Sequence, residues 1–349
     1  MGFKGVNMSN NNLAADFDVD TPIDHNYHVD TNEKIERWES TLPKEYWDYR
    51  EEWESHPKNR IVQQFPIHLD IEATSSCNLK CTMCPRTEME ANGTFWKVEN
   101  FDFELYKKLI DEGVTNGLRS VKYNYLGEPL LNPKLFKMIE YAKEKGVIDV
   151  MFNTNATYLS EKNAEKLLNS GIDKLFFSFD SPTKAQYEKI REGAEFEEVL
   201  GNIKRFIRMR DERGSIKPFT RVSMVLMKEN QDEWPKFKAL FEPIVDAVAY
   251  VDYLDHGDQN NSEMTLIDLT ARDNRFCCPQ LWQRMFVHPD GVATVCCIDS
   301  KRELVVGNVH EQTISEIWQG DKYSKLRKLH AEGRSHEIPA CARCPLAKY

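Results

Sequence analysis

The chain has 349 residues, with 46 Lys plus Arg against 56 Asp plus Glu, a formal charge of −10, and 41% hydrophobic residues, enough for one large domain and a small one. With that acidic balance and no basic stripe to follow a phosphate backbone, nucleic acid is excluded as the expected partner. No apolar run reaches the roughly 18 residues of a membrane span, and the polar start Met1-Gly2-Phe3-Lys4 lacks a secretory h-region, so a cytoplasmic enzyme without a membrane partner is expected.

Residues 1–34 are rich in Asn and Asp, without apolar periodicity, and read as a disordered tail. Residues 35–65 read as a helical N-terminal extension, because Trp38, Leu42, Tyr46, Trp47, Tyr49 and Trp53 recur among charges as in short amphipathic helices. These helices are expected on a barrel exterior, with an aromatic substrate lid as the alternative.

From Pro66 the pattern alternates. Strand-like runs at 67–73, 120–125, 149–153, 174–179, 221–227 and 247–251 are separated by helical periodicity at 103–112, 133–145, 161–170, 199–212 and 232–241. Repeated strand–helix units predict an α/β fold with a parallel sheet and helices outside. Functional loops then gather at the carboxyl ends of the strands. After the last strand, Tyr253-Leu254-Asp255-His256-Gly257-Asp258-Gln259-Asn260-Asn261 is a polar loop that holds substrate hydroxyls or serves as a linker.

The nine cysteines fall in two places, 77–84 and 277–344. In a cytoplasmic chain such clusters point to metal ligands rather than disulfides. Cys77, Cys81 and Cys84 stand at spacings of four and three just after the first strand of the alternating region. Three thiolates on a [4Fe–4S] cube leave one iron open to a small molecule. A structural zinc site is the competing reading, but it is closed by four ligands, and no fourth lies at the usual short spacing.

In the C-terminal region, 270–349, Asp290-Gly291 between two alternating apolar runs signals a β-hairpin. That turn brings Cys296 back towards Cys278, and Cys341 and Cys344 close the site. Adjacent side chains diverge on extended backbone, so one of each pair Cys277/Cys278 and Cys296/Cys297 points away. A zinc ribbon remains the structural alternative.

Cys-x₃-Cys-x₂-Cys after a first strand resembles the signature of the radical S-adenosylmethionine (SAM) enzymes. The resemblance implies a partial (β/α)6 barrel over residues 66–265, a SAM-binding [4Fe–4S] cluster on Cys77, Cys81 and Cys84, and reductive cleavage of SAM to a 5′-deoxyadenosyl radical that takes a hydrogen atom from substrate. Leu126-Gly127-Glu128-Pro129 is similar to the family's Gly-Gly-Glu-Pro motif, so Gly127 and Glu128 are implied at the SAM amino group. Phe152-Asn153-Thr154-Asn155-Ala156 is similar to its Thr-Asn-Gly segment near the adenosine, and Phe177-Ser178-Phe179-Asp180-Ser181 to its Ser-Leu-Asp-Gly strand end. Asn153, Ser178 and Asp180 are thereby implied as cofactor contacts, and Arg191 as a partner of the SAM carboxylate.

The order Cys-Pro, Asp-Gly, Cys-Cys, Gly-Asn-Val, Glu-Ile-Trp, Cys-x₂-Cys resembles the SPASM/Twitch extension, which implies an auxiliary [4Fe–4S] cluster, here on Cys278, Cys296, Cys341 and Cys344. The implied function is dehydrogenation or epimerisation of a sugar, nucleotide-sugar or aminocyclitol, with Cys277 or Cys297 as hydrogen-atom donors in the epimerase case. A peptide maturase, with a peptide substrate, is the alternative enzyme, and a zinc-bound scaffold the non-enzymatic one. Flavodoxin or ferredoxin is the implied electron donor.

Overall fold

The computed structural model describes residues 27–31, 33–256, 263–267 and 276–348. Its strands are β1 (Tyr27–Thr31), β2 (His68–Ile71), β3 (Ser120–Lys122), β4 (Asp149–Thr154), β5 (Lys174–Ser178), β6 (Phe219–Leu226), β7 (Ala247–Asp252), β8 (Arg284–Val287), β9 (Val292–Thr294) and β10 (Val305–Asn308). They form one ten-stranded sheet in the order β1-β7-β6-β5-β4-β3-β2-β8-β9-β10. From β2 to β7 each strand runs parallel to the next. The alternating pattern thus becomes a parallel sheet with helices outside, as its periodicity predicts, in the partial barrel that the resemblance implies.

Local chemistry sets the helices between strands. Helix Phe103–Asn116 starts where the Asp102 side chain accepts the Leu105 amide at 2.7 Å and stops at Gly117, whose φ of 102° is left-handed. Its Leu109 and Ile110 join Met138, Ile139, Leu167, Ile203 and Phe206 against Leu69, Val121, Phe152, Leu175, Phe177 and Val222 of the strands. Helices therefore cover one face, and the alternate strand residues turn to the other.

That inner face is closed at the strands' amino ends by the N-terminal extension. Helices Lys34–Glu39 and Lys44–Asn59 set Trp38, Tyr46, Tyr49 and Trp53 against Ile67, Met151, Phe176, Phe219 and Ala247. The expected exterior position and the aromatic lid are both corrected. An amphipathic stripe reports that one helix face is buried, not which side of the sheet buries it. Charged inner-face residues sit under these rings: Lys174 is 5.1 Å from the Tyr46 ring and pairs with Asp149 at 2.7 Å, and Arg284 is 4.8 Å from the Trp53 ring.

Within the expected tail, β1 pairs antiparallel with β7, placing His28 beside Tyr250 with ring centroids 4.4 Å apart. The tail assignment is corrected for those residues. At the opposite edge the predicted hairpin is present as β8–β9, and β8 pairs parallel with β2. The small C-terminal region therefore continues the barrel's own sheet.

Candidate functional site

The loop after β2 carries Cys77, Cys81 and Cys84 and is fixed from two sides. Lys80 N donates to Glu192 O and Thr82 N to Ile190 O, both at 2.9 Å, and the Thr87 hydroxyl donates to Cys81 O at 2.9 Å. All three thiols face one cavity of ≈ 1110 Å³, mouth included, at the carboxyl ends of β3 to β7. Burial pushes the Cys81 thiol up to about 12, against the pull of the Arg191 guanidinium. Iron binding has to displace such protons.

Gly127, Glu128, Asn153, Ser178 and Arg191 line the same cavity. At Gly127 a Cβ would lie 1.8 Å from Thr74 O, so only glycine lets this turn approach the cysteine loop. Glu128 accepts from Leu130 N (3.1 Å), the Thr154 hydroxyl (2.7 Å) and Asn155 N (2.7 Å). Burial nevertheless raises its carboxyl above the ordinary range. Asn153 Oδ1 is buried without a partner, as an acceptor awaiting a ligand is.

One implied cofactor contact, Asp180, lies behind the wall rather than in it. Asp180 is fully buried, binds Arg191 Nε at 2.6 Å and accepts Val225 N at 2.7 Å, and it is not part of the cavity wall. Arg191 lies in the wall, as expected, with Nη1 3.9 Å from Cys81 Sγ and its Nε paired with Asp180. A guanidinium and a carboxylate satisfy each other internally as readily as they satisfy a ligand.

Three stretches of chain build the second site. Cys278, Cys296, Cys341 and Cys344 line one cavity of ≈ 630 Å³, mouth included, together with Leu281, Val295, Ile298 and Leu304. Cys277 and Cys297 are not in its wall; the Cys297 thiol instead accepts from Gln280 Nε2 at 3.0 Å. Burial, then the neighbouring Cys344, pushes the Cys278 thiol well above its ordinary value. Among the described residues no three Cys, His, Asp or Glu side chains converge at single-ion distance. The four thiols line one cavity and form the all-thiolate donor set that a [4Fe–4S] cube takes.

His256 lines both cavities, and Tyr125 stands between them, in the wall of the first and with its buried hydroxyl unpartnered. Sequence reasoning did not single out Tyr125, Asn124 or Asp252 as contacts. Each ends or follows a strand of the barrel, so the strand-end rule could have found them. His256 belongs to the predicted polar loop, of which residues 257–261 lie outside the described residues.

A family model described as the radical SAM superfamily matches residues 71–241, and one described as an iron-sulfur cluster-binding domain matches residues 277–345. Among curated proteins the chain is 24% identical over 325 residues to the tungsten-containing aldehyde ferredoxin oxidoreductase cofactor-modifying protein of Pyrococcus furiosus, covering 80% of this chain and 87% of that one. It is 22% identical over 293 residues to the S-adenosyl-L-methionine-dependent 2-deoxy-scyllo-inosamine dehydrogenase of Niallia circulans, covering 79% and 91%. Among solved structures, BtrN in complex with AdoMet and 2-DOIA superposes with a TM-score of 0.55 at 21% identity, covering 81% and 94%.

Proposed function

From the premise that this chain belongs to the radical SAM superfamily and carries a C-terminal iron-sulfur cluster-binding domain, we propose that it dehydrogenates a hydroxylated, aminocyclitol-like metabolite. It is an enzyme that uses SAM, a SAM-binding [4Fe–4S] cluster and an auxiliary cluster. When bound, these groups supply a hydrogen-abstracting radical and a nearby electron acceptor.

In this reading Cys77, Cys81 and Cys84 hold the first cluster, while Gly127 and Glu128 lay backbone and carboxylate against SAM. Arg191 holds the loop charge-balanced through Asp180 and Cys81. Asn153 Oδ1, Asp252 and His256 offer polar contacts for hydroxyl and amino groups on the side of the cavity facing β4 and β7. Cys278, Cys296, Cys341 and Cys344 would hold the second cluster with four protein ligands, and a flavodoxin or ferredoxin would supply the priming electron.

One observation carries the choice of dehydrogenation over epimerisation. Among the described residues the cavity wall contains no thiol beyond Cys77, Cys81 and Cys84, whereas the four-thiol site adjoins it across His256. An epimerase needs a hydrogen donor at substrate, and neither Cys277 nor Cys297 is placed there. The test is anaerobic turnover of the reconstituted enzyme with SAM, dithionite and 2-deoxy-scyllo-inosamine or related polyols in deuterated water. Dehydrogenation gives a ketone in step with 5′-deoxyadenosine. An inverted product carrying solvent deuterium would overturn it.

A further inference from the structure

The turn Leu126-Gly127-Glu128 is strapped to the chain after β2 at three consecutive residues. Leu126 N donates to Glu72 Oε1 at 3.0 Å, Gly127 packs on Thr74 O, and Glu128 N donates to Ser76 O at 2.8 Å. The first strap is unlike the others, because it passes through a side chain with a further partner. Glu72 Oε2 lies 3.0 Å from His288 Nδ1, and His288 Nε2 lies 3.1 Å from the Thr294 hydroxyl. Both Glu72 and His288 are 1% exposed.

His288 follows β8, and Thr294 ends β9, two residues before Cys296. The polar chain therefore runs from the hairpin of the C-terminal module to the turn carrying Glu128. The His288 ring also meets the Tyr125 ring edge-on at 5.2 Å, one residue before the turn. A carboxylate only accepts hydrogen bonds, so His288 Nδ1–H and Leu126 N–H are its matched donors. Removing one donor leaves a buried oxygen unsatisfied and frees the other contact to shift.

We propose that Glu72 and His288 are positioning residues through which the C-terminal hairpin holds the Leu126-Gly127-Glu128 turn in place, so that SAM affinity depends on the C-terminal module. This rests on the reading above that the turn binds SAM. A second inter-module contact, Arg284 Nη1 to Asp70 Oδ2 at 3.3 Å, lies two residues before Glu72 in the chain, which makes it the natural control.

The experiment measures SAM dissociation constants on the reconstituted full-length chain, from the SAM-induced change in the electron paramagnetic resonance of the reduced cluster. Iron content and melting temperature are recorded alongside. His288→Phe, which keeps an aromatic ring beside Tyr125, is expected to weaken SAM about tenfold at unchanged iron content. Glu72→Gln, which still accepts from Leu126 N and still pairs with His288, should stay within about threefold. Arg284→Met should lower the melting temperature and leave SAM affinity unchanged.

Wild-type affinity in an iron-replete His288→Phe protein overturns the proposal, as does an equal loss in Arg284→Met, which would mark general loosening. If His288→Phe does not load iron, Thr294→Val decides: about two- to threefold weaker SAM binding supports the strut, and unchanged binding overturns it. A wild-type chain that loads iron but binds no SAM overturns the functional reading, and this proposal with it. Wild-type SAM binding with an unaffected His288→Phe overturns the strut alone.

Discussion

The two cysteine cavities differ in how the chain builds them. The first takes its three thiols from one eight-residue loop and fills out its wall with strand ends such as Asn153, Ser178 and Asp252, whereas the second takes four thiols from three stretches of chain and mixes Leu281, Val295, Ile298 and Leu304 with charged side chains such as Asp299, Lys301 and Arg343. A contiguous loop leaves the rest of the wall free for cofactor and substrate. A site tied from several stretches joins chain segments that a contiguous loop leaves independent.

The harshest way to break this comparison is to remove the first thiol set. Replacing Cys77, Cys81 and Cys84 together with Ala should lower iron from about eight to about four per chain and abolish 5′-deoxyadenosine formation, with the protein still folded by circular dichroism. Residual cleavage near wild type would place SAM elsewhere. The converse change, Cys344→Ala, should lose iron from the second site and lower the melting temperature, because its cavity joins Cys278, Cys296 and Cys341. SAM cleavage should persist while ketone formation stops.

Glu128→Gln sharpens the picture within the first cavity. Losing one charged hydrogen bond costs about 1.5–3 kcal/mol, roughly ten- to a hundred-fold in SAM affinity, with iron content unchanged. Calorimetric titration checks it. The smallest effect lies at the shared wall. Burial lowers the His256 imidazole from 6.5 to about 4, so the unfolded chain takes up a proton that the folded one refuses between those values. Its contribution to stability is complete above pH 6.5 and is lost as pH falls toward 4. His256→Gln should flatten that part of a melting-temperature profile.

Sequence alone carried the barrel strands, the hairpin and both thiol sets, because period and spacing are local properties that survive folding. What it could not carry was choice of partner. Asp180 has the right chemistry for SAM, yet only its 2.6 Å approach to Arg191 reveals that it stands behind the cavity wall and pairs with that residue. Trp38 and Trp53 announced a buried face without saying that it fills the inside of the barrel. Ala156 shows a subtler case. It holds φ at 58° where similar segments have glycine, a conformation that costs roughly 1–2 kcal/mol for a residue with a Cβ, and nothing in the alanine itself signals it.

The pairing of β8 with β2 also governs the order in which the molecule can be completed during synthesis. Asp70 meets Arg284 across 214 residues of chain, and β1 meets β7 across a comparable span. Contacts this remote are slow to form. Until the last quarter of the chain has left the ribosome, β2 keeps one edge bare beside an unloaded cysteine loop, and a bare strand edge invites pairing with a neighbouring chain. Chains cut before residue 276 should therefore accumulate as aggregates, and supplying iron and sulfide early in expression should not rescue them as well as restoring the missing strand does.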